Sequence, residues 1–109
     1  MTVKDLSSNG NFKIVSMPEP QRTIDGVYIG DLLSWVMGRA KADCAWITIM
    51  SNLNIIAVAS LSDVSCIILA EGVELDAELV NTAKEKGINV FTSALTAYEI
   101  AVFLSGALK

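Results

Sequence analysis

Side chains able to perform acid–base, nucleophilic or metal chemistry are scarce in this sequence of 109 residues. It contains no His, which is the side chain whose unperturbed pKa lies near neutrality and the commonest metal ligand. Neither a Ser-His-Asp nor a Cys-His nucleophile arrangement can therefore be built. Cys44 and Cys66 lie far apart without further ligands, so no zinc site is expected. Cys66 belongs to an apolar run and is predicted to be an inert core residue.

Phosphate-binding and dinucleotide-binding motifs are also missing. None of the seven glycines precedes a Lys, which excludes a P-loop, and no two glycines are two positions apart, as G-x-G-x-x-G requires. Asp31 and Glu71 both follow predicted strands and could form a catalytic carboxylate pair, but capping or solvated carboxylates are commoner. We therefore predict no catalytic residue, no metal and no cofactor, and we do not expect an enzyme.

Composition narrows the class of protein further. Apolar residues make up 52% of the chain and charged residues 18%, which excludes disorder and predicts one domain over residues 1–109. The net charge of −4 argues against nucleic acid or an anionic membrane as the main partner. The N-terminus has no signal-peptide core, and no apolar run approaches the roughly 20 residues that span a bilayer. These features predict a cytoplasmic protein.

Hydrophobic patterns and capping signals predict alternating strands and helices. Asp31 is expected to cap a first helix, and Asp76–Lys86 forms a helix closed by Gly87. A Thr96–Glu99 capping box begins a last helix that runs to about Leu108. The predicted strands are Phe12–Ser16, Ile24–Ile29, Ala45–Met50, Cys66–Ala70 and Ile88–Phe91.

One segment, Asn54–Ser62, fits two structures. Its Ile and Val residues are strand formers, whereas Asn54 could cap a helix and the apolar spacing is helical. We favour the helix. Alternation of strands and helices from Ala45 onward then predicts an α/β fold with a mostly parallel sheet.

In such a sheet, ligands bind beyond the carboxyl ends of the strands. Small polar residues beside helix N-termini could hold an anion or a nucleotide-like molecule there through backbone amides. The alternative is that these residues only cap helices and form turns, and two of them are acidic and would repel an anion. The predicted ligand-binding residues are Asp31, Ser51, Asn52, Asn54, Glu71, Gly72, Thr92, Ser93 and Thr96.

Four segments together resemble the DRTGG domain family. They are Val27–Ser34 (VYIGDLLS), Asn54–Ala59 (NIIAVA), Ile67–Gly72 (IILAEG), and Gly87-Ile88 leading into Ala97–Ala101. Stand-alone members are similar to the N-terminal domain of HPr kinase/phosphorylase without its kinase domain. Related domains accompany phosphotransacetylases and the CBS regions of some inorganic pyrophosphatases. The resemblance implies a three-layer α/β/α sandwich with Rossmann-like βαβ units, and it favours the helix over Asn54–Ser62.

The signature string of the family is absent from this sequence. Met50–Asn54 reads Met-Ser-Asn-Leu-Asn where the charged Asp-Arg portion is placed, and Ala70-Glu71-Gly72 stands where many members carry Thr-Gly-Gly. A ligand held by those signature residues would be lost or changed here. The resemblance implies a non-catalytic regulatory module that senses a small metabolite or nucleotide. The alternative function is a structural interaction subunit that docks onto a partner protein without any small ligand.

Two predicted helices are more apolar than one buried face requires. The excess residues include Leu32, Trp35 and Met37 in the first helix, and Tyr98, Val102 and Phe103 in the last. Large exposed apolar patches mark interfaces, and two-fold dimers are the commonest oligomers, so we predict a homodimer. The alternative is that the segment Met1–Val15 folds over these surfaces and leaves a monomer.

Overall fold

Short β-branched and apolar runs form a five-stranded sheet in the computed structural model, which describes residues 1–108. The strands are β1 (Lys13–Ser16), β2 (Gly26–Ile29), β3 (Cys44–Thr48), β4 (Cys66–Leu69) and β5 (Val90–Thr92). The helices are α1 (Val3–Ser7), α2 (Leu33–Arg39), α3 (Asn54–Ser62), α4 (Ala77–Lys86) and α5 (Ala97–Ala107).

The strand order across the sheet is β1-β5-β4-β3-β2. β2, β3, β4 and β5 run parallel, whereas β1 pairs antiparallel with β5, with Lys13 opposite Thr92. Every residue of the central strands β3 and β4 is buried. Continuous apolar strands of this kind are expected where helices cover both faces of a parallel sheet.

Helices cover both faces and give three layers. α2, α3 and α4 pack on one face against side chains such as Trp46, Ile67 and Val90. α1 and α5 pack on the other face against Ile47, Ile68 and Phe91. This arrangement confirms the predicted α/β sandwich with a mostly parallel sheet.

The structure confirms the capping residues predicted for α4 and α5. The Asp76 side chain accepts a hydrogen bond from the Leu79 amide at 2.9 Å, and Gly87 ends α4 with a φ of 74°. Thr96 and Glu99 form the predicted capping box. Asn54–Ser62 is helical, as favoured, although the side chain that accepts from the Asn54 amide belongs to Asn52.

Two local predictions need correction. Asp31 does not cap α2, which begins at Leu33 without any side-chain cap. Its carboxylate instead bonds to the end of β3, so a tertiary contact replaces the local one. The helix α1 was not predicted, although Thr2 and Asp5 form a capping box around it. The backbone amide of Thr2 and then its hydroxyl lower the pKa of Asp5.

The N-terminal segment covers part of α5 but leaves other apolar side chains exposed. Phe12 is buried and its ring centroid lies 5.5 Å from that of Phe103. On the outer side of α5, Tyr98 remains 76% exposed and Val102 54% exposed. The segment therefore covers one flank of the last helix.

A charged cluster ties the amino ends of the strands together, opposite the predicted site. The Arg22 guanidinium lies 2.8 Å from Asp43 Oδ1 and 3.0 Å from Asp63 Oδ1, and it donates to the Asp63 carbonyl. Burial alone would lower the pKa of Arg22, but the two carboxylates outweigh burial and raise it. Arg22 therefore joins the β1–β2 connection to the segments that precede β3 and β4.

Within residues 1–108, no helix combines the length and apolar character that crossing a membrane requires.

Candidate ligand-binding site

At the carboxyl ends of β4 and β5, the chain leaves the sheet toward opposite faces. The connections through α2, α3 and α4 all run over one face, whereas α5 leaves β5 toward the other face. The chain segments that leave β4 and β5 therefore diverge to opposite sides of the sheet. Such a divergence is the usual position of ligand sites in open α/β sheets.

Two backbone hydrogen bonds join the diverging segments at their start. The Glu71 amide donates to the Leu95 carbonyl and the Gly72 amide donates to the Ser93 carbonyl, both at 2.8 Å. Both donors have left-handed backbone conformations, with φ of 61° at Glu71 and 68° at Gly72. The β4–α4 segment is therefore turned away from β5 and runs alongside β1.

Two adjoining cavities lie where this segment passes β1, and we call them together the β1–β5 cleft. The cavity nearer α5 has a volume of about 320 Å³, and Asn11, Gly72, Ser93 and Ala94 line it. The cavity under α4 has a volume of about 490 Å³, and Val15, Glu74, Leu75 and Val80 line it. Lys13, Val73 and Thr92 line both cavities. Each volume lies within the range of roughly 300–1,000 Å³ that is usual for small-molecule pockets.

Unused hydrogen-bonding groups line the cleft, from Lys13 and Thr92 in both cavities and from Ala94 in the smaller one. Lys13 and Thr92 are cross-strand partners, so their side chains lie next to each other on one face. Within residues 1–108, neither the Thr92 hydroxyl nor the Ala94 amide has a hydrogen-bond partner, and the ion pairs all involve Arg22 and not Lys13. An ammonium, a hydroxyl and an amide are therefore free to bind a ligand.

Of the nine residues predicted from sequence, Gly72, Thr92 and Ser93 line this cleft. Glu71 precedes Gly72 in the same turn. Thr96 lies at the N-terminus of α5, where its hydroxyl accepts from the Glu99 amide at 3.2 Å and so serves the capping box. The Ser93 hydroxyl accepts from the Leu95 amide at 3.1 Å, so Ser93 shapes the start of this turn.

The other predicted residues lie at the ends of β2 and β3 and line neither cavity. Asp31 Oδ1 accepts from the Thr48 hydroxyl at 2.8 Å and from the Ile49 amide at 3.0 Å. The side chain of Asn52 accepts from the amide of Asn54, and Ser51 precedes them in the same loop. Neighbouring apolar side chains are exposed, Ile29 by 51% and Leu32 by 57%. This end of the sheet is therefore an apolar surface whose main polar groups bind one another.

Sequence reasoning missed Lys13 and Glu74. The strand Phe12–Ser16 was predicted, but no local signal says that it pairs with β5, and this pairing brings Lys13 beside Thr92. Glu74 lies in the segment between Gly72 and Asp76, for which no ligand-binding residue other than Gly72 was predicted. The alternation of β1 is the signal that could have placed Lys13 and Val15 on one face.

The described residues provide neither a group of metal ligands nor an exposed thiol at this cleft. Across residues 1–108, no group of three or more His, Cys, Asp or Glu side chains is arranged to hold a metal ion. Cys66 is fully buried, and this burial strongly raises the pKa of its thiol. Burial likewise raises the pKa of Cys44. Cys66 therefore belongs to the core, as predicted.

Comparison with known families gives a match over residues 11–107, and the matching family is the DRTGG domain. The chain belongs to the DRTGG domain family. Its predicted resemblance to this family is thereby confirmed. Glu71, which stands where many members carry Gly, lies with Gly72 in the left-handed turn that begins the β4–α4 segment. No curated protein sequence matches this DRTGG domain.

A similar solved structure comprises the CBS and DRTGG domains of the regulatory region of Clostridium perfringens pyrophosphatase, complexed with the activator diadenosine tetraphosphate. The TM-score is 0.68 at 15% sequence identity. The match covers 90% of the present chain but 43% of the pyrophosphatase chain, so the chain spans less than half of that protein. At this identity the likeness establishes a common fold.

Proposed function

We propose that this DRTGG domain, as one module over residues 1–109, is a non-catalytic regulatory module that binds a small metabolite or nucleotide in the β1–β5 cleft. The observation that carries the proposal is the group of unpaired donors that line the cleft: the Lys13 ammonium, the Thr92 hydroxyl and the Ala94 amide. They lie where the chain leaves β4 and β5 toward opposite faces of the sheet, which is the usual place of ligands in this class of fold. Gly72 and Ser93 shape the site, and Glu71 and Thr96 flank it.

A regulatory role is supported by the domain context of a similar DRTGG domain in another protein. In the pyrophosphatase the DRTGG domain belongs to a regulatory region that was crystallised with a nucleotide activator. Regulation also agrees with the chemistry of the cleft, which offers charged and polar groups for binding a small ligand. The expected likeness to the N-terminal domain of HPr kinase/phosphorylase, and the expected cytoplasmic location, stay predictions.

Thermal unfolding in the presence of nucleotides and central metabolites tests the proposal. A ligand that binds only the folded state raises its stability, by about 2.7 kcal/mol at a concentration of 100 Kd. Lys13→Gln should abolish the response to a stabilising ligand, whereas Lys84→Gln, an exposed change on α4, should leave it intact. If no compound shifts the unfolding temperature, or if both variants respond equally, the proposed site is wrong.

We further propose that the module is a homodimer formed along the free edge of β2. β2 ends the sheet and pairs only with β3 in the described chain, so its outer backbone groups are available to a second strand. Beside it on α2, Trp35 and Met37 are each 52% exposed. Two copies related by a two-fold axis would cover the same edge and the same helix surface on each other.

Sedimentation at micromolar concentration tests the dimer. A particle of twice the chain mass of 11.7 kDa is expected. Trp35→Asp should give monomers because it places a charge in the apolar contact, and Lys84→Ala should not. A stable particle of one chain mass would contradict the proposal.

The second candidate function is a structural interaction subunit without any small ligand. A groove of about 440 Å³ between α3 and α4 favours it, since Leu53, Ala57 and Leu61 line this groove and Leu61 is 76% exposed. An apolar helix groove of this kind suits an amphipathic helix of a partner. A stabilising metabolite that acts through Lys13 would favour the regulatory module instead.

A further inference from the structure

The β1–β5 cleft offers one cation and one anion to the same ligand. Lys13 lines both cavities and Glu74 lines the larger one. Both side chains are exposed, and they do not pair with each other, because every ion pair within residues 1–108 involves Arg22. A ligand can therefore meet an ammonium and a carboxylate that are not paired with each other.

The charges around the cleft disfavour the binding of a polyanionic ligand. Among residues 1–108, Lys13 is the only basic residue that lines either cavity, whereas Glu74 lines one and Glu71 lies beside Gly72 in the turn. The whole chain also carries a net charge of −4. A polyphosphate nucleotide would meet a single compensating charge and would be repelled by the glutamates and by the overall field. A ligand with one negative and one positive group fits this balance better.

Apolar side chains line the rest of the larger cavity. Val15 lies on the same face of β1 as Lys13, and Leu75 and Val80 close the cavity from the side of α4. Pockets of this type bind an apolar body while a few polar groups fix its orientation. The donors at the other end are the Lys13 ammonium, the Thr92 hydroxyl and the Ala94 amide, and all three suit a carboxylate.

We infer that the β1–β5 cleft binds a zwitterionic metabolite of the aliphatic amino-acid class. Its carboxylate accepts hydrogen bonds from Lys13, Thr92 and the Ala94 amide. Its ammonium group faces Glu74, and its aliphatic side chain packs against Val15 and Val80. This inference rests on the proposed function, because it names the class of ligand for the same cleft.

Calorimetric titration with matched ligands tests the inference. The probes are valine, leucine, isoleucine and methionine, together with leucinamide, which lacks the carboxylate, and 4-methylpentanoate, which lacks the ammonium. At least one of the four amino acids should bind. Where leucine binds, each analogue should bind roughly tenfold more weakly, the factor for losing one exposed charge-assisted contact.

Two variants connect each charge of the ligand to one residue. In Glu74→Gln the difference in affinity between leucine and 4-methylpentanoate should disappear, and in Lys13→Gln the difference between leucine and leucinamide should disappear. Both residues are exposed, so both variants should fold, and Glu85→Gln and Lys84→Gln on the exposed side of α4 provide controls of matched charge. Equal affinities in wild type and in both cleft variants would overturn the assignment of the two charges.

The outcomes separate this inference from the proposed function. If nucleotides such as AMP stabilise the protein while none of the four amino acids binds, the amino-acid class is wrong and the regulatory cleft stands. If neither class of compound binds, both are wrong. If an amino acid binds but its affinity is unchanged in Lys13→Gln, the ligand lies elsewhere and the inference fails.

Discussion

Asp31 joins the ends of β2 and β3, and its removal should weaken the sheet and not the start of α2. Its Oδ1 accepts from the Thr48 hydroxyl at 2.8 Å and from the Ile49 amide at 3.0 Å. Hydrogen bonds to a charged group contribute about 1.5–3 kcal/mol each when they are shielded from water. Thr48 is buried, but the Ile49 contact is exposed and water can replace it. We therefore expect Asp31→Ala to lower the free energy of unfolding by roughly 2 kcal/mol, more than the roughly 1 kcal/mol expected for a lost helix cap.

Urea denaturation of a small set of variants measures this effect. For a chain of this length, 2 kcal/mol corresponds to roughly 9 °C in the unfolding temperature. Asp31→Ser should be as unstable as Asp31→Ala, because Ser is a good helix cap but is too short to bridge to β3. In a double-mutant cycle with Thr48→Val, the coupling energy should be about 1 kcal/mol. Asp76→Ala, which removes a true cap of α4, should show no coupling to Thr48→Val.

Two results would refute the reasoning on Asp31. If Asp31→Ser retains full stability, its role is that of a cap after all. If the effects of Asp31→Ala and Thr48→Val simply add, the hydrogen bond between them contributes nothing to folding.

Four further substitutions have definite expected outcomes. Gly72→Ala should lower the free energy of unfolding by about 1 kcal/mol, because Gly72 has a φ of 68° that a side chain disfavours. Glu71→Gly should be neutral or stabilising, because Glu71 already has a strained φ of 61°. Chemical denaturation measures both effects. Arg22→Met should cost about 2 kcal/mol in the same assay, since it leaves the carboxylates of Asp43 and Asp63 and the Asp63 carbonyl without their donor. Stability should fall as the pH rises above the ordinary thiol pKa of 9.0, because burial raises the pKa of Cys66 and of Cys44 in the folded state, so the unfolded chain loses these protons first. Cys66→Ala should reduce this dependence between pH 8 and 10, and the contribution of Cys44 should remain.

Each of these predictions has a result that would contradict it. Equal losses in Gly72→Ala and Glu71→Gly would mean that the turn does not require glycine-like freedom. An Arg22→Met variant as stable as wild type would make the charged cluster a surface feature without energetic weight. An unchanged alkaline slope in Cys66→Ala would assign the pH dependence to other groups.

Features that depend on neighbouring residues were predictable from sequence. The apolar runs of β3 and β4 specify strands covered on both faces, and the Asp76 and Gly87 signals define α4 almost to the residue. The Thr96–Glu99 box likewise fixed the start of α5. In each case the group that decides the structure lies within a few positions of the residue it acts on.

Features that depend on tertiary contacts were not predictable in this way. Asp31 has the local context of a helix cap, but its carboxylate accepts from Thr48 and Ile49 at the end of β3, which a local pattern cannot reveal. The pairing of β1 with β5 brings Lys13 to Thr92 across a long stretch of chain. The sequence therefore named three residues that line the cleft, Gly72, Thr92 and Ser93, but neither Lys13 nor Glu74.

The central claim is that a ligand binds in the β1–β5 cleft, and amide chemical-shift mapping tests it most directly. The ligand added would be the compound that most raises the unfolding temperature in the metabolite and nucleotide screen. The account predicts that the largest shifts occur at the amides of Gly72, Thr92 and Ala94 and that they vanish in Lys13→Gln. Largest shifts at the opposite edge, around Arg22 and Asp63, would contradict it.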